Sequence, residues 1–217
     1  MSTTSATTSA PLILLGAGGH AAVVAESARR AGHAISAIAS ATRPASDAVF
    51  GSTEWLGDPD DPAVERAIRV RTETGARILL AVGDAALRDR WSARFSGVVA
   101  SALVDPSATV SPSATLAEGA FIGAGAVVQS RARVGAHAIV NTRAVVEHDG
   151  VLGAIAHVAP GAILCGNVSV GARALVGAGA VVIPGRAIGA DAVVGAGAVV
   201  VRDVPAGITV RGVPAHA

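Results

Sequence analysis

From Val104 onward an aliphatic residue returns at every sixth position without a break. The first place of each hexad runs Val104, Val110, Leu116, Ile122 and so on to Val194 and Val200, and all seventeen are Val, Leu or Ile. The fifth place is Ala in thirteen of them, the others being Gly150, Val168, Arg186 and Val204. Gly often fills the second place, as at Gly123, Gly135, Gly153, Gly171, Gly189 and Gly195. A helix would show a 3.6 period, so an unbroken six excludes it. One aliphatic and one small residue per six suit a short strand followed by a tight turn, and three such units close a triangular coil of eighteen residues. The aliphatics then stack in columns inside, with Ala where the corners narrow. At about 4.8 Å per coil the prism stands roughly 27 Å tall. The spacing does not fix its hand, because parallel crossovers in general are right-handed.

Before the repeat the pattern changes. Leu12–Leu15 reads as a buried strand, 21–31 as an apolar-periodic helix stopped by Gly32, and Ile35–Ala39 as a second strand. Helices are predicted over 62–74 and 85–95, with a strand at 78–82 between them, and 98–104 leads into the prism. Alternating β and α segments imply a small parallel α/β domain over 11–103, followed by the β-helix over 104–217. Residues 1–10, rich in Ser, Thr and Ala, read as a disordered N-terminus.

Composition narrows the interior and the partners. Half of the chain is hydrophobic (51%), yet aromatics make up 2% and Tyr is absent, so the core is built of Val, Ile, Leu and Ala. A net charge of +1 gives no electrostatic case for nucleic acid or an anionic membrane. The single Cys165 excludes an internal disulfide and a cysteine-based zinc site. No basic n-region precedes Leu12–Leu15, and that run is too short to span a bilayer, so no membrane insertion and a cytoplasmic location are expected.

Three places carry candidate chemistry. The Gly16-x-Gly18-x-x-Ala21 turn lets backbone amides approach a phosphate at a helix N-terminus, or is simply a tight turn. A full dinucleotide site expects an acid about twenty residues on. Ala39-Ser40-Ala41 supplies none, so NAD is not expected. His148 faces outward at a third place between Glu147 and Asp149, as either a general base or a solvated surface histidine. His157 lies nine residues on, half a coil away, so the two histidines of one chain fall on different faces and meet only between chains. That is an argument for a trimer with shared sites. His137, His148 and His157 are never eighteen apart, so no stacked zinc site and no metal are expected. Cys165 reads as packing rather than a nucleophile, and Arg186 as a side chain whose stem lies along the wall while its head reaches water.

Taken in order, Gly16-Ala17-Gly18-Gly19-His20, Val82-Gly83-Asp84 with Arg88, Asn141-Thr142, Glu147-His148-Asp149, His157-Val158 and Val181-Val182-Ile183-Pro184 carry a resemblance. The chain resembles the sialic-acid O-acetyltransferase and nucleotide-aminosugar N-acetyltransferase family of hexapeptide-repeat acyltransferases. That resemblance implies a left-handed parallel β-helix after a small Rossmann-like domain, a homotrimer, and acetyl-CoA lying between neighbouring prisms. It implies His148 as general base, Asp149 as the carboxylate that raises its basicity, and His157 as the residue meeting the acetyl group. Gly18, Gly19, His20 and Gly83 would contact the sugar nucleotide, and Gly166, Ala178 and Ala196 the pantetheine arm. The implied activity is acetyl transfer to the amino group of a nucleotide-linked amino sugar in bacterial surface glycan biosynthesis. O-acetylation of sialic or a related nonulosonic acid is the alternative acceptor chemistry, and a non-catalytic β-helical scaffold the reading of another class. Two departures stand out. Ala39-Ser40-Ala41 has no acid to meet a uracil, and Gly212-Val213-Pro214-Ala215 is followed by His216 and Ala217 without the family's usual basic residue, which leaves Arg202 or Arg211 for the adenine end of CoA.

Overall fold

The computed structural model describes residues 10–44 and 47–217, so the disordered N-terminus expected at 1–10 lies, but for Ala10, outside the described residues. In chain order the first part comprises β1 (Leu12–Leu15), α1 (Gly19–Arg30), β2 (Ile35–Ala39), α2 (Asp47–Phe50), β3 (Glu54–Trp55), α3 (Pro62–Glu73), β4 (Arg77–Leu80) and α4 (Ala85–Arg94). The short α2 and β3 were not expected, because four and two residues are too few to show a period. Helix α1 starts two residues before the expected 21, directly after Gly18, and Gly32 beyond its end takes φ +83°. Asp61 and Asp84 cap α3 and α4, accepting from the amides of Ala63 and Leu87.

The strands form one parallel sheet in the order β3-β2-β1-β4. The chain therefore steps outward from β1 through β2 and returns to its other side with β4. At such a switch point the loops after two neighbouring strands part, and ligands of open α/β sheets bind there. Gly16 follows β1 and Val82-Gly83 follow β4 at this place. Gly16 has φ +126°, and a Cβ on it would lie 2.6 Å from the carbonyl oxygen of Ala81, so only glycine lets the two loops approach.

The remainder is a left-handed parallel β-helix. Among the described residues its three faces hold seven, six and five strands. Each strand pairs with the one eighteen residues on, as Val140 with Val158. From Ile122 to Val200 every first-place aliphatic is 3% exposed or less. Val104, Val110 and Leu116 in the first coil are half-buried, having no coil beneath them. At the turns whose fifth place is Ala, and at Gly150, the amide of the fifth place bonds back to the carbonyl of the second, as from Ala126 to Gly123 at 3.1 Å. The fourth place takes a positive φ in every hexad from Gly119 to Gly197, as a type II turn requires. Second-place glycines have a different cause: a Cβ on Gly135 would sit 2.7 Å from the amide of Ala154 in the next coil.

Sixth-place residues point outward. On the seven-stranded first face Leu103, Phe121 and Ile139 are buried against α1 and its sheet, so the α/β part sits on this face. Arg30 of α1 also bonds the fully buried Asp105. On the six-stranded second face the outward column is Thr109 followed by Val127, Val145, Ile163, Val181 and Val199, aliphatic from its second residue on, with Ile163 exposed and the four valines partly so. Arg186 lies as expected: its side chain is 37% exposed, with the head near Asp203. Among the described residues no helix is long and apolar enough to cross a membrane.

Candidate active site

Two clusters of polar side chains lie on opposite sides of the prism. The first is at the corner between the second face and the five-stranded third face, where the turn 147–150 joins Val145–Val146 to Val151–Leu152. His148 Nδ1 donates to Asp149 Oδ2 at 2.8 Å. Arg131, one coil earlier, donates from Nε and Nη2 to both oxygens of the same carboxylate, at 2.7 and 2.8 Å. These bonds, Arg131's first and His148's second, hold the Asp149 carboxyl well below the usual carboxylate range. With the proton of the neutral ring fixed at Nδ1, Nε2 keeps its lone pair and faces outward. The ring lies over Gly166 in the next coil, where a Cβ would be 2.5 Å from His148 Nε2.

The second cluster lies where the first face meets the α/β part. His157 Nε2 is 3.1 Å from Asn141 Nδ2. Asn141 Oδ1 accepts from the Thr142 amide at 2.8 Å, so its NH2 group points to His157 and donates. His157 is therefore a neutral ring with its proton at Nδ1. His20, in the first turn of α1, stacks edge-on against Phe121 and lies 6.3 Å from His157, centroid to centroid. Burial, and then the positive charge of Arg88, push His157 down to about 3 and His20 down to about 4. A cavity of about 490 Å³ opens beside them, lined by Gly83, Asp84, Ala85, Arg88, His157, Arg173 and Leu175. Gly18 and Gly19 line a neighbouring groove with Ala17, Ala22, Pro44, Val49 and Phe50. A Cβ on Gly18, Gly19 or Gly83 would meet nothing within 4 Å, so the backbone there faces open space.

The residues singled out from sequence thus fall into separate groups within one chain. His148, Asp149 and Gly166 share one corner. His20, Gly83 and His157 share the seam between the two parts. Ala178 and Ala196 stack on the corner between the first and second faces, the Gly197 amide bonding the Ala178 carbonyl at 2.8 Å, away from Gly166. His137 is buried on its own turn, its ring against Gly119. Among the described residues no group of three or more His, Cys, Asp or Glu is arranged to hold a metal. Cys165 is half-buried beside the His148 corner.

Sequence reasoning gave no role to Arg131, Asn141 or Arg88. Arg131 could have been found: it stands eighteen residues before Asp149, as Arg173 does before Asp191, where the same two-bond pairing recurs at 2.7 Å. Opposite charges at one place of successive coils are the signal.

Residues 11–95 match the PglD N-terminal domain family. The chain is similar to PerB from Caulobacter crescentus, crystallised with CoA and GDP-perosamine, at 44% identity, a TM-score of 0.84 and coverage of 95% of this chain and 96% of that one. A variant of perosamine N-acetyltransferase from the same organism, one histidine replaced by asparagine, matches at 43% identity, 95% coverage of both chains and a TM-score of 0.85. The acetyltransferase domain of PglB from Neisseria gonorrhoeae FA1090, in complex with acetyl coenzyme A, matches at 34% identity, 96% and 98% coverage and a TM-score of 0.85. Among curated proteins none matches this chain.

Proposed function

This chain belongs to the nucleotide-aminosugar N-acetyltransferases of the hexapeptide-repeat acyltransferase family, and from that premise we propose that it transfers an acetyl group from acetyl-CoA to the amine of a nucleotide-linked amino sugar. The observation that carries the reading is the exposed His148, its Nδ1 held by Asp149 and its Nε2 free. The acceptor nitrogen attacks the thioester carbonyl carbon while His148 Nε2 takes its proton. The tetrahedral intermediate collapses with cleavage of the C–S bond, and the proton passes to the departing CoA sulfur. His157, neutral with Nδ1–H, is a suitable donor to the oxyanion that forms between these steps. Asp149 stays ionised throughout and stabilises the imidazolium.

The two histidine clusters of one chain cannot meet, so the reading calls for a site between chains. The aliphatic column Val127, Val145, Ile163, Val181 and Val199 borders the His148 corner and suits a copy of the same prism. A homotrimer brings the His148 corner of one subunit against the His157 seam of the next, with acetyl-CoA between them. Gly18, Gly19, His20 and Gly83 serve the sugar nucleotide, and Gly166, Ala178 and Ala196 the pantetheine arm.

The Caulobacter relatives were crystallised with GDP-perosamine, and Ala39-Ser40-Ala41 offers no acid to a uracil, so a GDP-linked amino sugar is the first substrate to test. Such substrates belong to bacterial surface glycan biosynthesis in the cytoplasm. The test is CoA thiol release from acetyl-CoA with GDP-, UDP- and CMP-linked amino sugars and with free sialic acid, His148→Ala alongside. Release with an amino sugar, reduced by about 10²–10⁴-fold in His148→Ala, is expected. Release with sialic acid alone would move the assignment to O-acetylation, and a His148→Ala variant as fast as the parent would end it.

A further inference from the structure

Arg88 heads the fully buried side chains by volume, at 1% exposed. It reaches from α4 into the seam between the α/β part and the prism. Nη1 donates to the carbonyls of Val82 at 3.0 Å and Gly83 at 2.7 Å, and Nη2 donates to the carbonyl of Ile155 at 2.6 Å. Its Nε meets no acceptor among the described residues. A cation held in the interior by carbonyls is a poor device for stability, since an apolar side chain of the same volume would fill the seam without desolvating a charge. Desolvation accordingly pushes Arg88 down to about 10, against the opposing pull of Asp84.

Its far partner is equally unusual. Ile155 occupies the fourth place of its turn with φ +64°, where other hexads carry Gly, Asn, Asp, Arg or His. A β-branched residue is a genuine outlier in this region. The side chain of Ile155 is 4% exposed, and its carbonyl is the one Arg88 takes. Two residues later His157 projects into the cavity that Gly83 lines from the opposite wall. One guanidinium therefore spans both walls of the same cavity.

We propose that Arg88 is a positioning residue of the acceptor site: its fork ties the Val82-Gly83 loop to the Ile155 turn and so sets the width of the cavity, lined by Gly83 and His157, in which the sugar amine is presented to the acetyl group. This rests on reading that cavity as the acceptor site. The neutral state of His20 and His157 beside a buried cation accords with it, because it keeps the Asn141 bond that orients His157.

The test compares Arg88→Met, which keeps length without the fork, and Arg88→Lys, which keeps charge without reaching three carbonyls, in steady-state kinetics with acetyl-CoA and the amino sugar accepted by the parent. Arg30→Met, which breaks the bond to Asp105, another of the contacts between the two parts, is the control. Both Arg88 variants should raise KM for the amino sugar or lower kcat by about 10–100-fold, leaving KM for acetyl-CoA unchanged. Arg30→Met should lower Tm and move neither constant. An Arg88→Met enzyme that loses Tm as Arg30→Met does, with parental kinetics, overturns the proposal. So does Arg88→Lys with parental kinetics, which decides alone where Arg88→Met does not fold. In the parent enzyme, sugar binding should slow amide exchange at Gly83 and at 155–157 together; protection of one wall without the other also overturns it. A parent inactive on every sugar would instead remove the acceptor-site reading, and this proposal with it.

Discussion

Asp149 Oδ2 lies 2.8 Å from His148 Nδ1, although adjacent side chains on an extended strand point to opposite faces. The left-handed backbone of Asp149, φ +61°, turns its carboxylate back onto the neighbouring ring. The turn of the β-helix thus makes a dyad from two consecutive residues. Arg131 adds a third member from the coil before, and it competes with His148 for the same charge.

That competition predicts a kinetic effect. In Arg131→Met the largest of the causes that hold the Asp149 carboxyl low is gone, so that carboxyl takes up a proton at higher pH than in the parent. The low-pH loss of kcat that follows protonation of Asp149 should begin at higher pH, and Arg131→Lys should restore part of the original position. A loss that begins where it does in the parent would show that Arg131 does not hold the carboxylate.

Gly166→Ala should spare the fold and impair the chemistry. The added Cβ falls 2.5 Å from His148 Nε2, and the clash is with a swinging side chain rather than with backbone. The ring moves, so kcat should fall while the thermal midpoint stays within a few degrees. A parental kcat in this variant would mean that the ring position over Gly166 is not the working one.

Stability should fall on mild acidification, before any carboxylate titrates. His20 and His157 are held down to about 4 and about 3, and burial, the leading cause, also lowers His137. Their ordinary value is 6.5, so the unfolded chain binds protons that the folded chain refuses. Their contribution is complete above about pH 6.5 and drains away as pH falls toward the folded values, at up to about 1.4 kcal/mol per histidine per pH unit. Thermal melts from pH 7.5 to 4.5 should show the decline, and His157→Asn should flatten it by about one proton. Equal slopes in the two proteins would contradict the assignment.

Ile163→Asp should break the association of prisms. The residue is 37% exposed at the middle of the aliphatic column on the second face. A charge there faces solvent harmlessly in a single chain and is costly inside an interface. Sedimentation velocity should show a trimer for the parent and a smaller species for the variant, with transfer lost in parallel. An unchanged sedimentation coefficient would place the interface elsewhere.

Much of this was legible before any coordinates. A single aliphatic at every sixth place dictates a coil of three short strands, and Ile122 to Val200 are buried as that pattern requires. The Gly32 stop and the strand Leu12–Leu15 follow from local chemistry, and so does the helix between them, although it starts at Gly19 rather than at the expected 21. So does the separation of His148 from His157 by half a coil. The αL fourth place was not legible, because glycine fills only part of it and Arg, His, Asp, Asn and Ile fill the rest.

The tertiary structure alone decided which distant residues share a charge or a carbonyl. Arg131 meets Asp149 because stacked coils place i beside i+18, which a linear reading for neighbours overlooks. Arg88 meets Ile155, sixty-seven residues away in sequence, because the α/β part sits against the prism and the side chain of Arg88 reaches across the seam. Periodicity determines which residues face inward, being a property of successive dihedral angles. The approach of two elements depends on how whole surfaces pack, and no single stretch of sequence holds both surfaces.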